Sequence, residues 1–204
     1  MGYHKPTRNP LQSRRYFMDK TEFAAWLRKT AQGESFRIRK DQVYVLSCGT
    51  KTYTWLIDSG VLFTSMQAEG GDNELANSIW LADDMVHSLD DDIMLPFHAL
   101  SDSVITRFSS EEVNPLIEAD ADLAWHLAEY YHTQFTRTLS NYRHAALDAS
   151  EVRLAHLEEM FANIPELKGE RISDATLAAF MGMHRVSVSR IRKKLSDSGK
   201  NQGI

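Results

Sequence analysis

The spacing of hydrophobic positions changes three times along the chain, and each change marks an element. Residues 1 to 20 show no period; Pro6 and Pro10 break any helix, and Arg8, Arg14 and Arg15 read as solvated charges on a basic tail. In TEFAAWLRKTA, Thr21 to Ala31, a capping-type threonine precedes Phe23, Ala24, Trp26 and Leu27 at helical spacing, which predicts a short amphipathic helix stopped by Gly33. From Phe36 to about Phe108 the period falls to two, in short β-branched and aromatic runs: FRIRK, QVYVLSC, TYTWLID, VLFTSMQ, NSIWLA, DIMLPFHAL and SVITRF. Gly49, Ser59-Gly60, Gly70-Gly71-Asp72 and Asp90 to Asp92 punctuate them at the spacing of an antiparallel barrel or sandwich, with EGGDNE, Glu69 to Glu74, as the clearest hairpin turn. Seven or eight strands closed into a small barrel leave room for one small ligand.

Helical spacing then returns. Ser109-Ser110-Glu111-Glu112 is a capping pattern, with Pro115 expected to restart the helix it opens. From Asp120 to about Leu147 a stripe of Ala128, Tyr131, Phe135, Thr138, Tyr142 and Ala145 recurs at intervals of three and four, which predicts one long helix. A long, narrow, partly aromatic stripe needs a partner to cover it, so a dimer seam is expected ahead of simple packing on the barrel. Asp148 to Ser150 interrupt the pattern and cap VRLAHLEEMFANI, whose Val152, Leu154, Leu157, Met160 and Phe161 form an apolar face. Finally DATLAAFMGMHRVSVSRIRKKL, Asp174 to Leu195, reads as two short helices around a glycine turn. Ala178 is the small residue at the crossing, Gly182 the turn residue free to take positive φ, and Val188 and Ile191 the apolar anchors of a helix-turn-helix.

Composition sharpens this. Of 204 residues 43% are hydrophobic, enough for a substantial core, and the net charge of −5 divides into +4 for residues 1–20, −13 for the middle and +4 for residues 165–204. An acidic body with basic ends suits a protein whose nucleic-acid contact is confined to one small module. Between Arg185 and Lys194 there are five Lys/Arg and no Asp/Glu. The single cysteine, Cys48, excludes an internal disulfide, and one thiolate does not hold an iron–sulfur cluster. With no apolar run of membrane-spanning length and no secretory block in MGYHKPTRNP, a cytoplasmic protein without a membrane partner is expected.

The order of these elements resembles the Crp/Fnr family of bacterial transcription regulators over nearly the whole chain. YTWLIDSGVLFTSM is similar to the family's first barrel hairpin, DSVITRFSSEEVNPLIEADADLAWHL to its last strand and dimer helix, and ISDATLAAFMGMHRVSVSRIRKKL to its DNA-binding motif. The resemblance implies an α+β fold: an N-terminal antiparallel β-barrel of double-stranded jelly-roll type, a long dimerisation helix and a C-terminal helical helix-turn-helix domain. The expected boundaries are a tail at 1–20, an effector-sensing barrel at 21–119, a dimer helix at 120–147 and the DNA-binding domain at 148–204. It implies major-groove base contacts from Arg185 and Arg190, since arginine pairs bidentately with guanine. Val186 stands where many relatives carry a glutamate, which changes the expected half-site. Ser187 and Ser189 are expected at phosphate or groove edge, and Arg192, Lys193 and Lys194 at phosphates, the alternative being a merely solvated face.

Departures narrow the effector. Cyclic-AMP-binding members hold the phosphate through a Gly-Glu and an Arg-Ser pair, whereas LADDMVHSLDDDIML has no arginine, and Asp83, Asp84, Asp90, Asp91 and Asp92 are expected to repel it. The cluster cysteines of the oxygen-sensing branch are missing, and His126 and His132 lack the four-residue spacing of paired helical ligands, so haem is disfavoured. What remains is a small uncharged or aromatic organic effector near Trp55, Leu56, Trp80, Phe97, Tyr130 and Gln134, although each of these fits an ordinary core position equally well. Relatives follow the recognition helix with a two-stranded wing; SDSGKNQGI leaves it absent or vestigial, which raises the alternative of a ligand-sensing dimer with weak or lost DNA binding. A metal enzyme of cupin type would have only His87 and His98 as strand ligands and no HxH pair, so neither metal nor enzyme activity is expected. The expected partners are palindromic double-stranded DNA, a second copy of the chain and, by the resemblance, RNA polymerase.

Overall fold

A computed structural model describes residues 18–46, 52–67, 74–87 and 95–201. The tail up to residue 17, Cys48, the Gly70-Gly71 turn and the acids at 90–92 lie outside the described residues. Helix α1 (Lys20–Thr30) precedes eight strands: β1 (Gly33–Ile38), β2 (Val43–Leu46), β3 (Tyr53–Ser59), β4 (Leu62–Gln67), β5 (Glu74–Trp80), β6 (Met85–His87), β7 (Leu95–Ala99) and β8 (Ser103–Ser109). Helices α2 (Ser110–Glu118), α3 (Ala121–Leu147), α4 (Ser150–Ala162), α5 (Asp174–Met181) and α6 (Arg185–Asn201) follow, with a 3₁₀ turn at Pro165–Leu167.

The strands form two four-stranded antiparallel sheets, ordered β1-β8-β3-β6 and β2-β7-β4-β5, rather than a closed barrel. The central parts of both sheets are covered on both faces, while β2 leaves Val43 and Val45 exposed. Trp55, Ile57, Phe97 and Ile105 meet between them; Leu56, Met85 and Phe108 point outward to Phe23 and Leu27 of α1, Val113 of α2 and Leu123 of α3. On the far side Val61, Phe63, Ala76 and Ile79 share a core with the C-terminal helices. Alternation along β3 therefore reads as an unbroken apolar run, because neither face is wet. The turn expected at Ser59-Gly60 is present, and it requires glycine: φ is +90° and a Cβ would stand 2.2 Å from Ser103 Oγ.

Three local expectations change. The cap of α1 is Asp19 in a reciprocal box with Glu22, not Thr21. Pro115 sits inside α2 instead of restarting it, removing one intrahelical donor. Strand β6 was not signalled by the sequence; three residues are too few to show a period.

The acidic stretch after β5 is structural. Asp83 pairs with Arg28 at 3.0 Å, and Asp84, 1% exposed, accepts from Leu81 N (2.8 Å), Lys20 Nζ (3.2 Å) and Gln134 Nε2 (3.2 Å), with Arg137 at 3.8 Å. Both carboxylates are engaged by cations of the protein itself, which offset their charge locally. Asp84 ties α1 and α3 to the sandwich. Removing one partner of a buried charge cluster strands the others. Asp84→Ala is expected to lower unfolding stability by about 3 kcal/mol and Asp84→Asn by less; urea denaturation measures both, and a loss below about 1 kcal/mol for the alanine variant would refute the assignment.

Candidate nucleic-acid interface

Helix α5 starts where the Ser173 side chain accepts from Thr176 N and ends at Gly182, whose φ of 59° and ψ of 37° are left-handed. Met183 N donates to Ala178 O at 3.0 Å and Gly182 N to Ala179 O at 3.4 Å, the paired bonds of a glycine-terminated helix end. Two residues on, His184 opens α6: its carbonyl accepts from Ser187 N (2.9 Å) and its Nδ1 from Val186 N (3.3 Å). The imidazole thus takes the part usually given to serine or aspartate at a helix start. Leu177, Ala178 and Val188 are buried against Leu154 and Phe161 of α4, with Ile191 beside them. Arg153 of α4 donates to Met181 O, placing a cation at the negative end of α5.

With the apolar face so fixed, periodicity decides which polar side chains face out. Val186, Ser189, Arg190 and Lys193 stand at i, i+3, i+4 and i+7 and share one face. Together with Arg185 at the start of the helix they line an open groove of about 500 Å³ shared with Arg171, Ser173, Asp174 and Ala175. Arg171, Arg185, Arg190 and Lys193 are its cations, whereas Asp174 is engaged by Arg192. A concave wall with four cations, next to the electropositive start of a helix, can offset the charge of a phosphate. Arg171 went unassigned in the sequence because it lies outside the recognition helix; its signal is its place two residues before the cap Ser173.

The remaining expected contacts lie elsewhere. Arg192 is turned inward: Nε bonds Glu158 at 2.8 Å, and the guanidinium reaches Asp174 (2.5 Å) and Ile172 O (3.2 Å). It braces α4, α5 and α6 and is not presented to a phosphate. Lys194 pairs with Glu151 at 3.0 Å and holds that carboxyl below its usual range, and Ser187 is half-buried outside the groove. Eight nearly consecutive residues cannot share one helical face; five of them do. Helix α6 also runs past Leu195 to Asn201, so SDSGK continues it.

The six expected effector-pocket residues divide between two layers of the described structure. Trp55, Trp80 and Phe97 belong to the core between the sheets, Leu56 to the opposite face of its sheet, as neighbours on a strand must. Trp80 Nε1 donates to Thr64 Oγ1 (3.0 Å), Gln134 is engaged by Asp84, and the Tyr130 hydroxyl accepts from Met85 N (2.7 Å) and donates to Met85 O (3.1 Å). Burial, with the charge of Asp84, pushes the Tyr130 phenol above its ordinary range. Along α3, Ala128 and Phe135 are exposed as expected of a seam, joined by Trp125 and Leu139. Tyr131 sits at the margin, Thr138 turns to Ser78 of β5 (3.3 Å), and the side chains of Tyr142 and Ala145 lie outside the described residues. The period was legible but its phase was not. His98 stacks on Phe63 and bonds Ser65 and Glu74; His87's side chain is outside the described residues, and no three His, Cys, Asp or Glu cluster among the described ones. No described helix is long and apolar enough to cross a membrane.

No protein-family model matches the chain, and no curated protein matches its sequence. Solved structures do match in fold. The c-di-GMP-responsive global regulator CLP of Xanthomonas campestris is 16% identical, with 88% of this chain and 92% of that one covered at a TM-score of 0.70. A Crp/Fnr-family transcriptional regulator from Eubacterium rectale is 16% identical over 82% and 80% of the two chains, at a TM-score of 0.68. A CRP-family regulator from Thermus thermophilus is 14% identical over 80% and 85%, at 0.64. The fold is that of the Crp/Fnr transcription regulators.

Two arginines only two residues apart but opposite in setting give a direct check. Arg192→Ala is expected to cost about 2 kcal/mol of stability, because it abandons two carboxylates and a carbonyl. Arg190→Ala should stay within about 0.5 kcal/mol, as surface substitutions do. Equal melting shifts for the two variants would overturn the division of the helix into a bracing and a groove face.

Proposed function

We propose that the chain is a sequence-specific DNA-binding transcription regulator of the Crp/Fnr type, working as a homodimer controlled by a small effector other than cyclic AMP. The observation that carries the reading is the groove: Arg185, Val186, Ser189, Arg190 and Lys193 present one face of α6, with Arg171 and Ser173 beside it, on a helix-turn-helix whose own packing leaves that face unused. Arg185 and Arg190 are the base readers, bidentate to guanine O6 and N7, and Val186 offers a thymine methyl its apolar contact. Lys193 and Arg171 neutralise phosphate without reading sequence.

The second support is α3. One flank is pinned to the sandwich by Gln134, Arg137 and Thr138, and the other exposes Trp125 (47%), Phe135 (61%) and Leu139 (51%) at heptad-like intervals with Ala128 among them. A second copy of the same helix covers such a flank and sets two recognition helices on adjacent major grooves. Against cyclic AMP stands the lack of an arginine between Trp80 and Leu95.

Selection from a random DNA pool should return a palindrome with half-site centres about 34 Å apart. On that DNA, Arg185→Ala and Arg190→Ala are each expected to cost about 1–3 kcal/mol and to relax one position, whereas Lys193→Ala weakens specific and random DNA alike. Equal losses on both DNAs for the arginine variants would defeat the base-reading roles. Phe135→Glu should shift the protein from dimer to monomer in sedimentation, and an unchanged dimer would move the interface away from α3.

A further inference from the structure

On the outer face of the first sheet α1, α2 and α3 roof a half-enclosed pocket of about 170 Å³. Its walls are carbon: Phe23, Met85 and Val113 are buried to 4%, 1% and 1% exposure, and Ile117, Leu127 and Tyr131 complete them. An apolar cavity of about 150 Å³ in a protein core takes up benzene, so this volume suits a single ring. Polar groups are few and placed. Thr54 lies on the sheet floor, and Asn114 and Glu118 stand on α2 at the exposed side. None of the lining residues is a cation, and Glu118 is an anion, which excludes carboxylates and phosphates and favours a hydrogen-bond donor. A full positive charge would lose its hydration against these walls, so the donor is a neutral one.

We propose that this pocket binds one neutral aromatic ring carrying a single hydrogen-bond donor, of the phenol or indole class. The site touches the strand and the seam helix together: Met85 belongs to β6, Leu127 and Tyr131 to α3, and the neighbouring Tyr130 already clamps the Met85 backbone from α3. An occupant therefore bears on the contact that fixes α3 to the sandwich. Its role as a regulatory ligand rests on the regulator reading above; its binding does not.

The test is a titration of the full chain, carrying ¹³C-methyl methionine, with phenol, indole and benzoate. The Met85 methyl resonance should move saturably with phenol and indole and stay unmoved with benzoate. Val113→Phe and Ile117→Phe, which fill the pocket from α2, should each weaken phenol binding at least tenfold. Glu118→Gln, at an exposed position, should weaken phenol severalfold and leave toluene unchanged. A Met85 signal indifferent to phenol and indole up to their solubility, or a response unaltered in both phenylalanine variants, overturns the proposal. So does a mixed-isotope dimer in which Met85 shows contacts to the unlabelled partner, since a second copy then fills the space. Binding to selected DNA separates the two readings. A protein that takes phenol but no DNA refutes the regulator, and one that binds DNA with an indifferent Met85 refutes only the pocket.

Discussion

The C-terminal helices have no core that is theirs alone. Leu154, Phe161, Leu177, Met181 and Val188 bury themselves in one cluster with Val61, Phe63, Ala76, Ile79 and Leu100 of the second sheet. Phe180 joins the two halves, tilted against Phe63 at 5.3 Å and edge-on to Phe161 at 5.4 Å. A three-helix unit of this size buries too small a fraction of its surface to be robust by itself. The sheet supplies the missing face. The polar link across the same boundary, Lys40 to Glu170 at 2.6 Å, is exposed on both sides and adds little. Apolar packing therefore sets where Val188 sits, and Val188 sets which way Arg190 and Lys193 point. Because such cores are dense, β4, β5 and α5 are packed as one unit.

The opposite side of the molecule is held by a different kind of contact. Asp84 gathers Lys20, Gln134 and Arg137, while Arg28 draws Asp58 and Asp83 together on the surface above it. These bonds are directional, so they fix α3 in rotation as well as position, which a greasy contact alone does not. With that rotation fixed, the seam flank and the packed flank of α3 are separated by residues only one or two positions apart. On the proposed dimer reading, that separation lets the helix meet a partner copy and the sandwich without either contact competing for the same side chains.

Much of the fold was legible in the sequence, and the parts that were not share a cause. Seven of the eight strands announced themselves through β-branched runs and glycine punctuation, and α3 and the helix-turn-helix through their periods. What a period does not contain is phase relative to a third element. Trp55 and Leu56 look equally apolar, yet they face different layers because the sheet is covered twice. Thr138 belongs by spacing to the seam but bonds Ser78. Arg192 is as basic as Arg190, and only the placement of Glu158 and Asp174 on other helices turns it inward. The acids at 83 and 84 read as a field of negative charge when taken as sequence, and as struts once their partners are known. Closure was also invisible: two hydrogen-bonded sheets and one barrel place the same residues in alternation.

Charge distribution then bears on how such a groove discriminates. The middle of the chain carries −13, and ion pairs such as Arg107 with Glu34 rearrange that charge without changing its sum. On the proposed DNA-binding reading, an acidic body repels duplex outside the groove, and the four cations that line it supply attraction independent of sequence. Each phosphate neutralised contributes roughly 0.9 to the slope of affinity against salt, so four such contacts give a modest unspecific share. On the same reading, base contacts carry correspondingly more of the total. The two arginines proposed for them, Arg185 and Arg190, stand on a helix held by Val188 at no exposure and Arg192 in a double ion pair. Rigidity inside the helix bundle favours such a role, because a loosely held arginine would lose to entropy much of what a bidentate bond contributes.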